Sequence, residues 1–276
     1  MCGIAGFISF DRDNGRPQWA AIAHSMGEAL NHRGPDDKGT WLCPAGALIH
    51  RRLAVIDPDR GRQPMTRTRD CAEYTIVYNG ELYNTDALRR ELSDQGYRFE
   101  TSSDTEVLLT AYMAWGEEVP ARLEGIYAFV IWDGVRNQFF ACRDRFGVKP
   151  FFYALADDGA LVFGSELKAL FRYPGLTPRV DAAGWCEVLF SGVKELEPAH
   201  SMTISRGGIR KRRYWSLESR PHTDDYEDTV LRVRELVTGA ITRQLVSDVP
   251  LCTFLSGGVD SSLVSAICAE ELKKKN

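Results

Sequence analysis

The chain has no apolar run approaching the roughly 20 residues of a membrane-spanning helix, and its start lacks the basic flank and apolar core of a secretion signal. It also lacks a basic surplus. With a formal net charge of −4, nothing in the balance argues for nucleic acid or an anionic membrane as partner. The seven cysteines, Cys2, Cys43, Cys71, Cys142, Cys186, Cys252 and Cys268, are odd in number, scattered and without a CxxC pair, and the five histidines have no metal-ligand spacing. These absences fit a cytoplasmic protein without a structural zinc, and most of the cysteines are expected as small buried hydrophobes. What is present is ordinary globular material. At 276 residues, 44% apolar and 26% charged, the chain can bury a substantial core in one or two domains.

The first two hundred residues read as strands and turns with a few helices. GIAGFIS is strand-like, QWAAIAHSMGEALNHRG has helical periodicity that Gly34 would end, and ALIHRRLAVID alternates as a strand. EYTIVYNGELYN carries two apolar runs about an Asn-Gly pair, the strongest short-range hairpin signal. Asn84 is placed to cap a helix over TDALRRELSDQG that Gly96 would close. DTEVLLTAYMAWG reads as a further helix, and residues 126–166 as consecutive strands and tight turns. The summary is an antiparallel α+β domain over 1–214. Residues 215–228 are polar, charged and proline-bearing, hence a linker. Beyond it, Val230, Val233, Val237, Ala240 and Ile241 share one helical face, DVPLCTFL reads as a buried strand, SGGVDSS as a glycine loop and LVSAICAEELKKK as a helix. Residues 229–276 are thus expected as the incomplete start of an α/β domain. About fifty residues cannot close a parallel sheet that needs both faces covered, so apolar surface is expected to stay exposed there.

Cys2 stands directly behind the initiator methionine. A thiolate is the useful nucleophile, and a free cysteine has a pKa of about 8.5. If Met1 is removed, the α-amine of Cys2, with a pKa of about 7.7 to 8.0, lies beside its own sulfur and can take the thiol proton without a histidine. A small residue at position two is also simply tolerated, so this reading depends on the rest of the chain.

MCGIAGF, NHRGPDD (31–37), HRRLAVID (50–57), YNGELYN (78–84), SSDTEVLL (102–109) and RDRFGVKPFFY (143–153) together resemble the glutaminase domain of N-terminal-nucleophile, class II glutamine amidotransferases. Their order and spacing are similar to those of glutamine-hydrolysing asparagine synthetases, and SGGVDSS (256–262) resembles the nucleotide loop of that family's synthetase domain. The resemblance implies an αββα sandwich of antiparallel sheets followed by the start of an ATP-pyrophosphatase domain. It implies Cys2 as nucleophile, with the Asn79 side chain and the Gly80 backbone N–H as donors to the oxyanion. Arg52 would take the glutamine α-carboxylate, and Glu81 and Asp104 the α-ammonium. The backbone at Val55 and Ile56 would line the same pocket, although a strand core explains those two equally well. Arg33, Asp36, Arg143, Asp144 and Lys149 match family markers for which structural or loop-ordering roles are expected.

SGGVDSS has no Gly-Lys-Ser/Thr ending and is not a Walker A loop. The resemblance implies Ser256, Gly257, Gly258, Asp260, Ser261 and Ser262 near ATP phosphates and Leu255 beside the nucleotide, with Mg²⁺ accompanying ATP and no protein metal site. Glutamine, aspartate and ATP are then the substrates, and a homodimer is compatible with the family. The family's aspartate pocket lies downstream of this loop, so the expectation for this chain alone is glutaminase chemistry. Two readings compete with it: a non-catalytic remnant or partner-binding fragment, and an amidase for a different amide. Retention of Cys2, Arg52, Asn79, Gly80, Glu81 and Asp104 weighs against the first, and the paired acids with Arg52 favour an α-amino acid over the second.

Overall fold

The computed structural model describes residues 1–10, 16–180 and 190–275; Cys186 lies outside them. The chain forms two compact units, Met1–Ser216 and Leu217–Asn276. The strands of the first unit are, in chain order, β1 (Gly3–Ile8), β2 (Asp37–Cys43), β3 (Gly46–Arg52), β4 (Met65–Arg69), β5 (Ala72–Leu82), β6 (Gly125–Asp133), β7 (Gln138–Arg143), β8 (Phe152–Leu155), β9 (Leu161–Gly164), β10 (Val193–Glu195), β11 (His200–Ser205) and β12 (Gly208–Arg213). Its helices are α1 (Arg16–Glu28), α2 (Thr85–Asp94), α3 (Asp104–Trp115) and the short α4 (Leu167–Leu170). Among the described residues the strands make two six-stranded antiparallel sheets, ordered β10-β8-β9-β1-β3-β2 and β12-β11-β7-β6-β5-β4.

Strand alternation explains how four layers stack. In β1, Ile4 and Ile8 face the second sheet and meet Val77, Val130, Phe139 and Phe163, while Ala5 and Phe7 face outward onto Trp19, Ala23 and Met26 of α1. In β5, Ile76 and Tyr78 face the opposite way, against Leu88 and Leu92 of α2 and Leu108 and Tyr112 of α3. The order is helix, sheet, sheet, helix. The inter-sheet layer is aromatic at its centre, where Phe151 and Phe163 stack at 5.6 Å between centroids and 6° between planes.

Several local expectations are corrected. Asn79-Gly80 makes no turn: β5 runs straight through it, and pairs with β6 from Tyr74↔Asp133 to Leu82↔Gly125 hold it extended. The turn-forming pair was outweighed by a long partner strand. Gly34 does not close α1, which ends at Glu28; a Cβ there would fall 2.4 Å from the Arg51 carbonyl carbon, so a close approach of two segments demands the glycine. Asn84 precedes α2 without capping it, because its side chain instead donates to Arg122 O (2.9 Å) and accepts from Glu124 N (3.0 Å). Gly96, at φ +87°, follows that helix as expected. The alternating run ALIHRRLAVID is a strand only to Arg52. Of the described cysteines, Cys142 and Cys268 are buried, Cys2 and Cys43 are half-buried, and Cys71 and Cys252 are exposed, since Cys71 sits in the tip of the β4–β5 hairpin and Cys252 in an irregular segment.

The second unit contains α5 (Tyr226–Arg243), capped by Asp225 Oδ1 accepting from Asp228 N at 2.9 Å, and α6 (Val259–Lys275). Val230, Val233 and Val237 of α5 line a groove with Leu263 and Ile267 of α6. The expected buried strand over DVPLCTFL is absent: the segment is irregular, and Phe254 and Leu255 are 93% and 66% exposed. No neighbouring strand among the described residues offers it a ladder. No helix among the described residues is long and apolar enough to cross a membrane.

The layer between the sheets dictates a stability test. Phe163 is fully buried and Val135 is 61% exposed. Phe163→Ala is expected to lower the urea-unfolding free energy by about 3–5 kcal/mol, while Val135→Ala stays within about 0.5 kcal/mol of the parent.

Candidate active site

A cavity of about 100 Å³ opens at the N-terminus, and Cys2, Arg52, Val55, Ile56, Asn79, Gly80, Glu81 and Asp104 all line it, together with Met1, Gln63, Tyr78 and Lys149. These residues come from six separate stretches of chain. β1 brings in Cys2, the end of β3 brings Arg52, β5 brings residues 78–81, and the start of α3 brings Asp104.

Cys2 Sγ accepts from Leu53 N at 3.4 Å and lies 3.5 Å from Leu53 O. Burial pushes its thiol up, although the Leu53 hydrogen bond and the nearby terminal amine and Arg52 charges oppose this. The thiol is therefore protonated at neutral pH and needs a base. No histidine lines the cavity. Met1 is attached in this structure, and burial lowers the pKa of its amine.

β5 supplies the polar wall. β4 stops at the Met65↔Ile76 pair, so β5 runs on with an open edge. The N–H groups of Tyr78, Gly80 and Leu82 share one direction by strand periodicity. Gln63 Oε1 accepts from Tyr78 N at 2.6 Å and Asp104 Oδ2 from Leu82 N at 3.4 Å, and the Gly80 N–H points to the same edge between them. A Cβ on Gly80 would lie 2.4 Å from Ile126 O, which requires glycine here. Asn79 is 1% exposed, and its side-chain Nδ2 is buried without a hydrogen-bond partner. Such an orphan donor is costly, and it belongs to a residue that lines the cavity.

Arg52 is buried and donates to the carbonyls of Ile56 (3.0 Å), Asp57 (2.7 Å) and Pro58 (2.7 Å). Three of its five N–H donors thus shape the wall, and two are left for a ligand. Val55 and Ile56 sit in this loop after β3 and are half-buried, so a strand core does not account for them. Asp57 Oδ2 ties the same loop to the start of α3 by accepting from Ser102 N and Oγ, both at 2.8 Å. Buried Glu106 holds residues 100–101 through Glu100 N (2.9 Å) and Thr101 N (2.7 Å).

The acidic groups differ in setting. Asp104 is buried and accepts from Tyr78 Oη at 3.0 Å. Burial pushes its carboxyl up to about 6 despite the lowering effect of Tyr78, Leu82 and Thr105. Glu81 is half-buried and also pushed up by burial, against the Lys149 charge. Lys149 is buried, its ammonium donates to Met1 Sδ at 3.4 Å, and burial lowers its pKa. The loop that delivers Lys149 is wound around Asp144, which accepts from the backbone N–H groups of Tyr127, Phe146, Val148 and Lys149. Arg143 binds the carbonyls of Gly147, Lys149 and Leu196, Arg33 Nε donates to Cys2 O at 2.9 Å, and Asp36 accepts from Ala54 N at 2.8 Å. These five marker residues thus order loops and the N-terminus. Sequence reading passed over Gln63, Tyr78 and His50. Tyr78 and His50 lie in the motifs quoted, but Gln63 reaches in from a loop with no signal of its own.

Leu255, Ser256, Gly257, Gly258, Asp260, Ser261 and Ser262 lie in the second unit, at the start of α6. Gly257 adopts φ +83°, Ser256 Oγ and Ser261 Oγ are 3.0 Å apart, and the loop is exposed except for Ser261, which is half-buried.

The glutamine amidotransferase domain family matches residues 1–215, and the asparagine synthase family matches residues 232–275. Glutamine-hydrolyzing asparagine synthetase 3 of Bacillus subtilis (strain 168) is 47% identical over 287 residues, spanning 100% of this chain and 46% of that protein. Glutamine-hydrolyzing asparagine synthetase 2 of Arabidopsis thaliana is 35% identical over 276 residues, spanning 99% of this chain and 43% of that protein. The chain therefore spans less than half the length of these curated relatives. Among solved structures, the glutamine phosphoribosylpyrophosphate amidotransferase from B. subtilis complexed with ADP and GMP matches with a TM-score of 0.61 at 22% identity, over 99% of this chain and 64% of that one. That likeness agrees with the fold, an αββα sandwich of two antiparallel sheets.

The Asp104 carboxyl yields a pH test. Its folded pKa of about 6 lies above the ordinary 3.8, so the cost of ionising it in the buried site is absent below about pH 4 and complete above about pH 6. The stability of Asp104→Asn relative to the parent is expected to rise across that window by up to about 3 kcal/mol. Urea unfolding of both proteins at pH 4 and pH 7 checks it.

Proposed function

The chain belongs to the glutamine amidotransferase family, and from that premise we propose that residues 1–214 hydrolyse glutamine at Cys2, that 215–228 form a linker and that 229–276 begin an ATP-pyrophosphatase domain of the asparagine-synthetase kind. The observation that carries the first part is the buried, unpartnered Asn79 Nδ2, on a residue lining the cavity that also holds Cys2 and the open β5 edge.

With Met1 removed, the amine of Cys2 takes the thiol proton as Sγ attacks the side-chain amide carbon of glutamine. The carbonyl oxygen becomes an oxyanion that Asn79 Nδ2 and the Gly80 N–H stabilise. The same amine then protonates the departing nitrogen, ammonia leaves, and a thioester to Cys2 remains. Water, deprotonated by that amine, attacks the thioester through a second oxyanion in the same cradle and releases glutamate. Arg52 takes the α-carboxylate through its charge and a remaining N–H donor. Glu81 and Asp104 take the α-ammonium, whose arrival offsets the burial that otherwise disfavours their charge. The backbone at Val55 and Ile56 lines the wall.

For the full-length relative, the ammonia would amidate aspartate. ATP would supply the activation: the aspartate side-chain carboxylate would displace pyrophosphate to give an acyl adenylate, from which ammonia would displace AMP. The loop fits phosphate oxygens. The left-handed Gly257, the hydroxyls of Ser256, Ser261 and Ser262, and the N–H groups opening α6 suit phosphate, with Leu255 beside the nucleotide. Mg²⁺ would come with ATP and have Asp260 as the acidic group within the loop. Free cysteines among the described residues suit a reducing, cytosolic setting. A homodimer is part of the same reading.

Purified protein whose N-terminal mass shows Met1 removed is expected to release ammonia from glutamine, and Cys2→Ala to abolish release. No release by the processed parent would sink the glutaminase reading. Asn79→Ala is expected to lower kcat by roughly 10²–10³-fold while the protein stays folded.

A further inference from the structure

An open strand edge in a buried site has to be held by something other than a strand. The peptide that presents the Gly80 N–H joins Asn79 to Gly80, and β6 holds it on one edge only. On the open edge it is flanked by groups that side chains hold. On the N-terminal side, Tyr78 is held at both backbone groups: Gln63 Oε1 accepts its N–H at 2.6 Å, and His50 Nε2 lies 3.1 Å from its carbonyl oxygen. A carbonyl only accepts, so His50 carries its proton on Nε2 and donates. Gln63 is itself fixed by Nε2 donating to Thr105 Oγ1 at 3.2 Å. On the C-terminal side, the Leu82 N–H meets Asp104. Gln63, His50 and Tyr78 are 7%, 1% and 2% exposed, so water does not compete.

We infer that Gln63 and His50 are positioning residues for the oxyanion cradle. Gripping both backbone groups of Tyr78 in place of a missing neighbour strand, they set the direction of the Gly80 N–H and the Asn79 side chain. This rests on the glutaminase reading. His50 lies outside the cavity lining, and Gln63 lines it with both ends of its amide already engaged, so their loss acts on the transition state and not on substrate binding.

The experiment compares Gln63→Leu, His50→Leu and His50→Gln with the parent, all with Met1 removed and with thermal unfolding run alongside. Each leucine variant is expected to lose about tenfold to a hundredfold in kcat with glutamine KM within about threefold of the parent. His50→Gln, which keeps a donor, should recover part of the loss. An unchanged kcat in folded variants, or a raised KM at constant kcat, overturns the inference. Backbone amide exchange by NMR in the Cys2→Ala protein is independent of turnover. Faster exchange at Tyr78 and Gly80 in Gln63→Leu, with Ile76 unaltered, supports the clamp, and unaltered exchange at both overturns it. If the processed parent releases no ammonia, the glutaminase reading falls, and the exchange data alone decide the clamp.

Discussion

A strand that outruns its neighbour must satisfy its remaining peptide groups by other means. β5 extends past the end of β4 while staying paired to β6, and everything at the cavity follows from that overhang. One of its edges belongs to the fold and the other to the site. The fold needs the β6 pairing to keep Asn79-Gly80 extended, and the site needs the β4 side vacant. Gln63 and Asp104 occupy the positions that a strand would otherwise fill, and a hydrogen-bond donor faces the gap between them.

The electrostatics of the cavity show a single tendency. Burial pushes the Cys2 thiol and the Glu81 and Asp104 carboxyls up, and the Lys149 ammonium down. Every one of these shifts favours the neutral form. The shape of the wall is a separate matter. It is set by Arg52 on three carbonyls and by the Asp57–Ser102 tie, both made of hydrogen bonds to backbone.

The antiparallel sandwich and its αββα layering agree with the expectation, and the eight cavity residues named from motif resemblance do line one cavity. Local propensity failed where tertiary pairing overrode it. Asn-Gly is a turn former in isolation, but at 79–80 it is straightened by β6, and Asn84 spends its side chain on residues 122–124 instead of on a helix start. The strand expected at DVPLCTFL failed for the opposite reason, since its period and composition are strand-like but the described residues hold no partner for it. Gln63 was invisible because its contribution depends on a loop crossing the end of β4, and no local pattern encodes that crossing.

A backbone ladder is nearly blind to sequence: any residue but proline can donate and accept in it, so a paired edge tolerates drift. A side-chain pin has no such latitude, because only a few residue types have the right atom at the right reach. The overhang of β5 therefore inverts the usual distribution of mutational tolerance. Inter-sheet positions such as Val130 and Ile204 can exchange among apolar residues of similar volume at modest cost. Gln63 in its loop and Ser102 before α3 cannot, although nothing in their composition or local pattern marks them out. In this protein irregular segments carry residue-by-residue demands as strict as those on His50, Asn79 and Gly80 in the strands, and the inter-sheet apolar positions supply the slack.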